Sequence, residues 1–407
     1  MKKAVVSEKG WSAGGIATGK TRALPTGSPS VHLDALRGLA AFSVLLNHLR
    51  DAFFADYSQL TRHNQFTAAA YLVAGLGHQW VIVFFVMSGY LVGGSVLRSV
   101  NTGRWSWRNY LLARLTRLYV VLLPALLLGG AIDRAGMHIP GTETVYNGQS
   151  GMRALEVDVH ATSRPGVLLG NSLFLQTIAL PGMGGQRVPA YGSNGPLWSL
   201  CNEFWYYMAF PLLVLLLTTG HSWWIRAACG CGLLVWGWFV GTSILLLGIP
   251  WLMGAGITFL PPIRIKSSWL RLLIIVFAMA LVAGGLVLGK ISGSVLSDLL
   301  LGVAVTVLIW VTLHCATAPL PEMYSRVARR AAQSSYTLYL VHVPVVVFLK
   351  AVLHAPRSVP SVHTLLISVT VLLVVMLYAQ LVYQIFERNT ERVRNWVKPF
   401  VLRNQAA

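Results

Sequence analysis

The stretch LDALRGLAAFSVLLNHLRDAFF, residues 33–54, is long enough to cross a bilayer, yet it carries Asp34, Arg37, Asn47, His48, Arg50 and Asp51. A spanning helix needs about 20 mostly apolar residues. An ionisable side chain at mid-span costs at least about 2.5–3.5 kcal/mol on insertion scales, so each of these groups asks for a reason. Arg37 and His48 are eleven residues apart. At 100° per residue that leaves about 20° after three turns, so both lie on one helical face, separated by a rise of about 16 Å. Asp34, three residues before Arg37, is placed to pair with it. A histidine deep in a span suits a base, because its ordinary pKa lies near neutrality. Snorkelling by the arginine and an interhelical hydrogen bond from the histidine account for the same residues without chemistry.

The rest of the chain has the composition this stretch implies. Of 407 residues, 55% are hydrophobic and 11% charged, and the mean hydropathy is +0.62. Soluble domains carry about 25% charged residues, so a cytosolic enzyme, a disordered chain, a collagen and a disulfide scaffold are all excluded. Apolar runs place ten spans at 33–53, 73–97, 117–134, 196–218, 224–246, 248–263, 270–289, 294–313, 333–353 and 362–386. The sixth is short and bounded by Pro250, Pro261 and Pro262. The fold class expected is therefore an all-α integral membrane protein of about ten transmembrane helices.

The formal charge of +19 follows topology, not nucleic acid. With the N-terminus inside, most of the 32 lysines and arginines fall on the tails and inner loops, among them Arg98, Arg104, Arg108, Arg114, Arg117, Arg326, Arg329 and Arg330. That asymmetry places both termini in the cytoplasm. Residues 1–30 have no apolar core and read as a flexible cytoplasmic tail rather than a signal peptide, so the first span acts as an uncleaved anchor. Residues 31–388 form the membrane domain and 389–407 a basic cytoplasmic tail. The large segment 135–195 falls outside the cytoplasm, and its apolar run from Leu168 to Leu180 is too short to span and suggests a re-entrant or lid-like helix. Cys201, Cys229, Cys231 and Cys315 lack metal-ligand spacing and read as buried thiols.

Three further constellations break the apolar rule. The fourth span opens GPLWSLCNEFWYY, in which Ser199, Glu203 and Tyr207 follow i, i+4, i+8 and form one polar stripe. Its carboxylate needs a partner across the bundle, and His48 is at a compatible depth. The ninth span, SSYTLYLVHVPVVVF, sets Ser335, Tyr339 and His342 on one face, with Pro344 loosening the backbone ladder behind them. In both spans a structural hydrogen bond is the alternative to a functional group. Arg114 and Arg117, three apart at the surface entering the third span, suit a pyrophosphate, because guanidinium groups bind phosphate oxygens bidentately. Ordinary inner loops also look this way. In VFFVMSGYLVGG the glycines after Ser88 permit close helix approach.

Together these features resemble acyltransferase family 3, the polytopic membrane O-acyltransferases of surface carbohydrates. The resemblance rests on Arg37 and His48, FFVMSGYL (84–91), Arg114 and Arg117, NSLFLQ (171–176), WSLCNE (198–203) and SSYTLYLVHVP (334–344), in order across the membrane region. It implies a bacterial inner-membrane enzyme that moves an acyl group, an acetyl in the first instance, from cytoplasmic acetyl-CoA to a hydroxyl of a surface or exported glycan. Arg37, Arg114 and Arg117 would hold the donor's phosphates. His48 would act as base with Glu203 orienting it, and His342 and Tyr339 would relay a proton or polarise the thioester. The implied partners are acyl-CoA, a lipid-linked or surface carbohydrate and membrane lipids, with no nucleic acid and no metal.

Many relatives carry a second acidic residue where this chain has Phe204. Some continue into an extracytoplasmic hydrolase-like domain, for which about 20 residues after the last span leave no room. The reaction is thus expected to finish within the membrane domain and the 135–195 segment, or through a separate partner. Ser88 and Ser335 are candidate acyl carriers, with no base beside either in the sequence. A proton-coupled transporter or flippase, using His48, Glu203 and His342 as a proton path, is the competing reading. No inverted repeat supports it.

Overall fold

The computed structural model describes residues 27–61, 63–180 and 185–402. The tail expected at 1–30 lies outside the described residues up to residue 26, and Ser28 already opens a helix. In chain order the helices are α1 (Ser28–Phe53), α2 (Gln65–Val73), α3 (Gly77–Ser88), α4 (Gly94–Asn101), α5 (Trp107–Met137), the short α6 (Glu143–Tyr146) and α7 (Val159–Thr162), and α8 (Pro165–Ser172). They continue with α9 (Leu197–Leu217), α10 (Trp223–Gly256), α11 (Ser268–Ser292), α12 (Val295–Cys315), α13 (Glu322–Gln333), α14 (Ser335–Val352), α15 (Val362–Ile385) and α16 (Thr390–Leu402). Among the described residues there is no β-strand, only isolated bridges such as Phe54 with Ser358.

Eight stretches among the described residues are long and apolar enough to cross a membrane by length and composition. α1 stands apart from them because Asp34, Arg37, Arg50 and Asp51 interrupt its apolar run. The window of α3 is 78% buried and so is that of α14, against 17% for the stretch containing α10 and 22% for α11. α3 and α14 are therefore the axis of the bundle, with α1, α5 and α9 around them. The outward faces of α10 and α11 present Trp238, Val276 and Phe277, side chains suited to hydrocarbon but not to water.

Several boundaries differ from those the apolar runs suggest. α5 begins at Trp107, because the Ser106 hydroxyl accepts from the Asn109 amide and caps it, so Arg114 and Arg117 lie within a helix rather than on a loop. Within α10, Gly241 has φ 76° and ψ 170°. Before it, Gly232 faces Leu212 and Phe239 meets Trp205 edge to face; after it, Tyr206 donates to the Ile244 carbonyl and Trp251 packs on Phe210. The chain thus runs against α9 up to Gly241 and along it afterwards. The reversal falls at a glycine with positive φ, whereas Pro250 is carried inside the second half.

Residues 168–180 are not one lid-like helix: α8 ends at Ser172 and the chain turns through Phe174 and Thr177, both at positive φ. The polar ends of NSLFLQ explain this. The Asn171 amide donates to the carbonyls of Val167 and Pro189, and the Gln176 amide donates to that of Leu197. The segment is fixed to the bundle by buried Asp133, which accepts from the amide and hydroxyl of Ser193, and by Asn194, which donates to the Leu340 carbonyl. Cys231 is exposed while the other three cysteines are buried.

Candidate active site

The helix formed by α3 and α4 is broken by one wide π turn at Gly89–Gly93, a local defect often found at functional sites. A Cβ at Gly89 would lie 1.8 Å from the Trp251 carbonyl oxygen, and one at Gly254 would lie 1.9 Å from that of Val86. The two glycines let α10 approach α3 backbone to backbone. That approach brings Trp251 beside Ser88, and its indole nitrogen donates to the Ser88 hydroxyl at 3.2 Å. Ser88 in turn donates to Glu203 Oε1 at 2.6 Å, and the Tyr207 hydroxyl donates to the same carboxylate oxygen.

Ser88, Glu203 and Tyr207 line a cavity of about 330 Å³ between α1, α3, α5, α9 and α14. The stripe Ser199, Glu203 and Tyr207 faces it, as do Ser335, Tyr336 and Tyr339. Arg37, Arg114 and Arg117 close one end. Arg114 donates to Ser95 at 2.9 Å and lies over the rings of Tyr110 and Tyr207; Arg117 lies over Tyr336; Arg37 pairs with Asp34 at 3.9 Å. The same three arginines also line a second, more polar hollow of about 650 Å³, together with Asp34, Arg329, Glu387, Arg388 and Arg394. Both volumes are in the range of small-molecule sites. Because Asp34 and Arg394 share this vestibule, the two ends of the described chain meet at one end of the bundle.

The opposite end of the cavity is closed by Phe84, Phe85 and the pair Ser199–Tyr339, whose hydroxyls are 2.7 Å apart. Beyond it, His342 packs 6.1 Å from the Tyr339 ring and 5.1 Å from the ring of His48, centroid to centroid. His342 Nδ1 bonds to the Leu338 carbonyl. His48 Nδ1 and His342 Nε2 are buried with no hydrogen-bond partner in the protein.

His48 is therefore brought to His342 and not to Glu203. A Cβ at Gly77 would sit 2.7 Å from the Asn47 side chain, so His48 is level with the first turn of α3. Ser88, eleven residues further along, is about 16 Å away down the axis. Glu203 is instead held by Tyr207, its i+4 neighbour on the stripe, and by Ser88 of α3, which spacing along one helix does not reveal. Phe204 stacks on Phe174 at 4.2 Å, facing the segment between α5 and α9 rather than the cavity. The vestibule arginines Arg329, Arg388 and Arg394 were legible only as inner-side charge. Among the described residues, no three His, Cys, Asp or Glu stand close enough to share a metal ion.

A family model described as an acyltransferase domain matches residues 31–380. Among curated proteins, the acyltransferase MdmB of Streptomyces mycarofaciens is 28% identical over 242 residues, covering 57% of this chain and 53% of that protein. The chain thus spans about half the length of the curated relative it matches. No solved structure gives a significant match.

Proposed function

The chain belongs to the acyltransferase family whose domain matches residues 31–380, and from that premise we propose that it is a membrane O-acyltransferase of the bacterial inner membrane. Its donor is an acyl-CoA, acetyl-CoA in the first instance, and its acceptor is a hydroxyl of a surface or exported glycan. Both termini face the cytoplasm in this reading. The observation that carries it is that Arg37, Arg114 and Arg117 are shared between the walls of the polar vestibule and of the inner cavity.

Guanidinium groups in a rigid cluster suit the donor's phosphates, and the apolar walls below them, among them Val81, Phe84 and Leu91, suit its uncharged arm. The thioester is then held at the depth of Glu203. The acceptor comes from the far side, where Tyr339 leads to His342 and His48. Those groups draw off the proton that the attacking hydroxyl gives up, help of a kind worth about 10²–10⁴-fold.

Purified protein in liposomes, supplied with acetyl-CoA and a pooled lipid-linked glycan extract, should release free coenzyme A and acylate the glycan. His48→Ala should do neither at a comparable rate. Passage of the glycan across the bilayer without coenzyme A release would replace this reading with that of a transporter.

A further inference from the structure

Resting on the acyltransferase reading, we infer that Ser88 is a covalent acyl carrier and that Glu203 is its base. Four serines line the inner cavity, and their hydroxyls are committed differently. Ser335 donates to the Ala332 carbonyl at 2.8 Å and Ser95 to that of Val92 at 2.7 Å, while Ser199 is paired with Tyr339. Ser88 is the one of the four whose hydroxyl proton points at a carboxylate, at 2.6 Å. A hydroxyl held against a base and oriented by a third group is the arrangement of an activated nucleophile. Here the third group is the Trp251 indole, which donates to Oγ at 3.2 Å. The contact depends on the backbone approach that Gly89 and Gly254 allow.

The placement also answers a problem of distance. Neither histidine lines the cavity, and His48 lies about 16 Å along the bundle axis from Ser88, so the pair is not within reach of a thioester held at Glu203. Ser88 provides a first step at the donor end that needs no histidine. Its Oγ bonds to the acyl carbon, the carbon–sulfur bond breaks, the hydroxyl proton passes to Glu203, and coenzyme A leaves as a thiolate past the arginines. In the second step an acceptor oxygen bonds to the acyl carbon and the bond to Ser88 Oγ breaks. Glu203 returns its proton to Oγ, while the acceptor's proton moves along Tyr339 to the histidine pair and from there to solvent. The thiolate takes up a proton in solution, so charge and atoms balance over the cycle with no further reactant.

The test uses the full-length protein in liposomes with acyl-labelled acetyl-CoA alone, quenched in denaturant and read by peptide mass spectrometry. Wild type should carry the label on Ser88 and release coenzyme A in a burst matching it. Ser88→Ala and Glu203→Gln should carry none. Ser88→Cys, which keeps the size and the donor, should be labelled as a thioester that neutral hydroxylamine cleaves. Steady transfer to glycan with no label on Ser88, or undiminished transfer by Ser88→Ala, overturns the inference and leaves the acyltransferase reading intact. If coenzyme A is released by no variant with or without glycan, both fall together.

Discussion

The rings of His48 and His342 lie 5.1 Å apart, centroid to centroid, and are tilted by 42° in the bundle interior, each with one ring nitrogen that no protein group satisfies. A buried polar atom without a partner is costly, of the order of 1–3 kcal/mol. If the two act as one proton acceptor, their effects are not independent. His48→Ala should lower glycan acylation by about 10²–10⁴-fold, and His48→Ala with His342→Ala should lower it little further. Steady-state rates of the single and double variants check this; multiplicative losses would separate the roles.

The arginine cluster predicts a different kinetic signature. Arg114→Lys and Arg117→Lys keep the charge but lose the planar fork. Each should raise KM for acetyl-CoA by roughly 10- to 100-fold, the equivalent of about 1.5–3 kcal/mol for a charged hydrogen bond. The rate at saturation should change far less, and KM of the wild type should rise with salt.

Two glycines in contact with backbone predict a stability contrast. Gly254→Ala places a methyl group against the Val86 carbonyl oxygen and should destabilise the protein by about 1–3 kcal/mol or more. Gly284, within α11, has nothing within 4 Å of its would-be Cβ. Gly284→Ala should be neutral or slightly stabilising, since alanine is the better helix former. Thermal unfolding in detergent compares the two directly.

At the end of the bundle away from the chain termini, Asp56 joins Arg50, Arg153 and Arg357, which lie 3.8, 3.4 and 3.0 Å from its carboxylate. Burial alone would raise its pKa. The hydrogen bond and charge of Arg357, then the charges of Arg153 and Arg50, outweigh that and hold it below the ordinary carboxylate value. A carboxylate depressed on folding contributes stability above its unfolded pKa, about 3.9, and loses it as pH falls through the folded value. The melting temperature should therefore drop on acidification below about pH 4, and Asp56→Asn should be less stable at neutral pH with a shallower acid limb.

Much of the helical layout was legible because lipid leaves the chain few choices: apolar runs had to become helices, and Arg37 and His48 had to share a face of one. What one helix could not tell was which neighbour each face would meet. The depth of His48 was read along α1, but its partner was set by the packing of α1 on α14, which brought it His342 and left Glu203 to Ser88. Ser88 looked like part of an apolar run, because its base comes from α9 and its orienting indole from α10. The turn between the fifth and sixth spans was expected at 246–248, whereas it falls at Gly241. Pro250 was the louder signal, yet proline is tolerated inside membrane helices, while one glycine at positive φ is enough to turn the chain. Asn171 and Gln176 gave no warning that their amides would break residues 168–180 into turns, since their acceptors lie on carbonyls distant in sequence.

In the proposed reaction, donor and acceptor meet the protein from opposite ends of the bundle. This arrangement is tested most directly in sealed vesicles of known orientation, with labelled acetyl-CoA confined to the side of the chain termini and glycan to the other. Coenzyme A should be released on the termini side and label appear on glycan at the far side, with no reaction when the two substrates are exchanged. Equal acylation in both arrangements, or acylation only when both substrates are on one side, would contradict it.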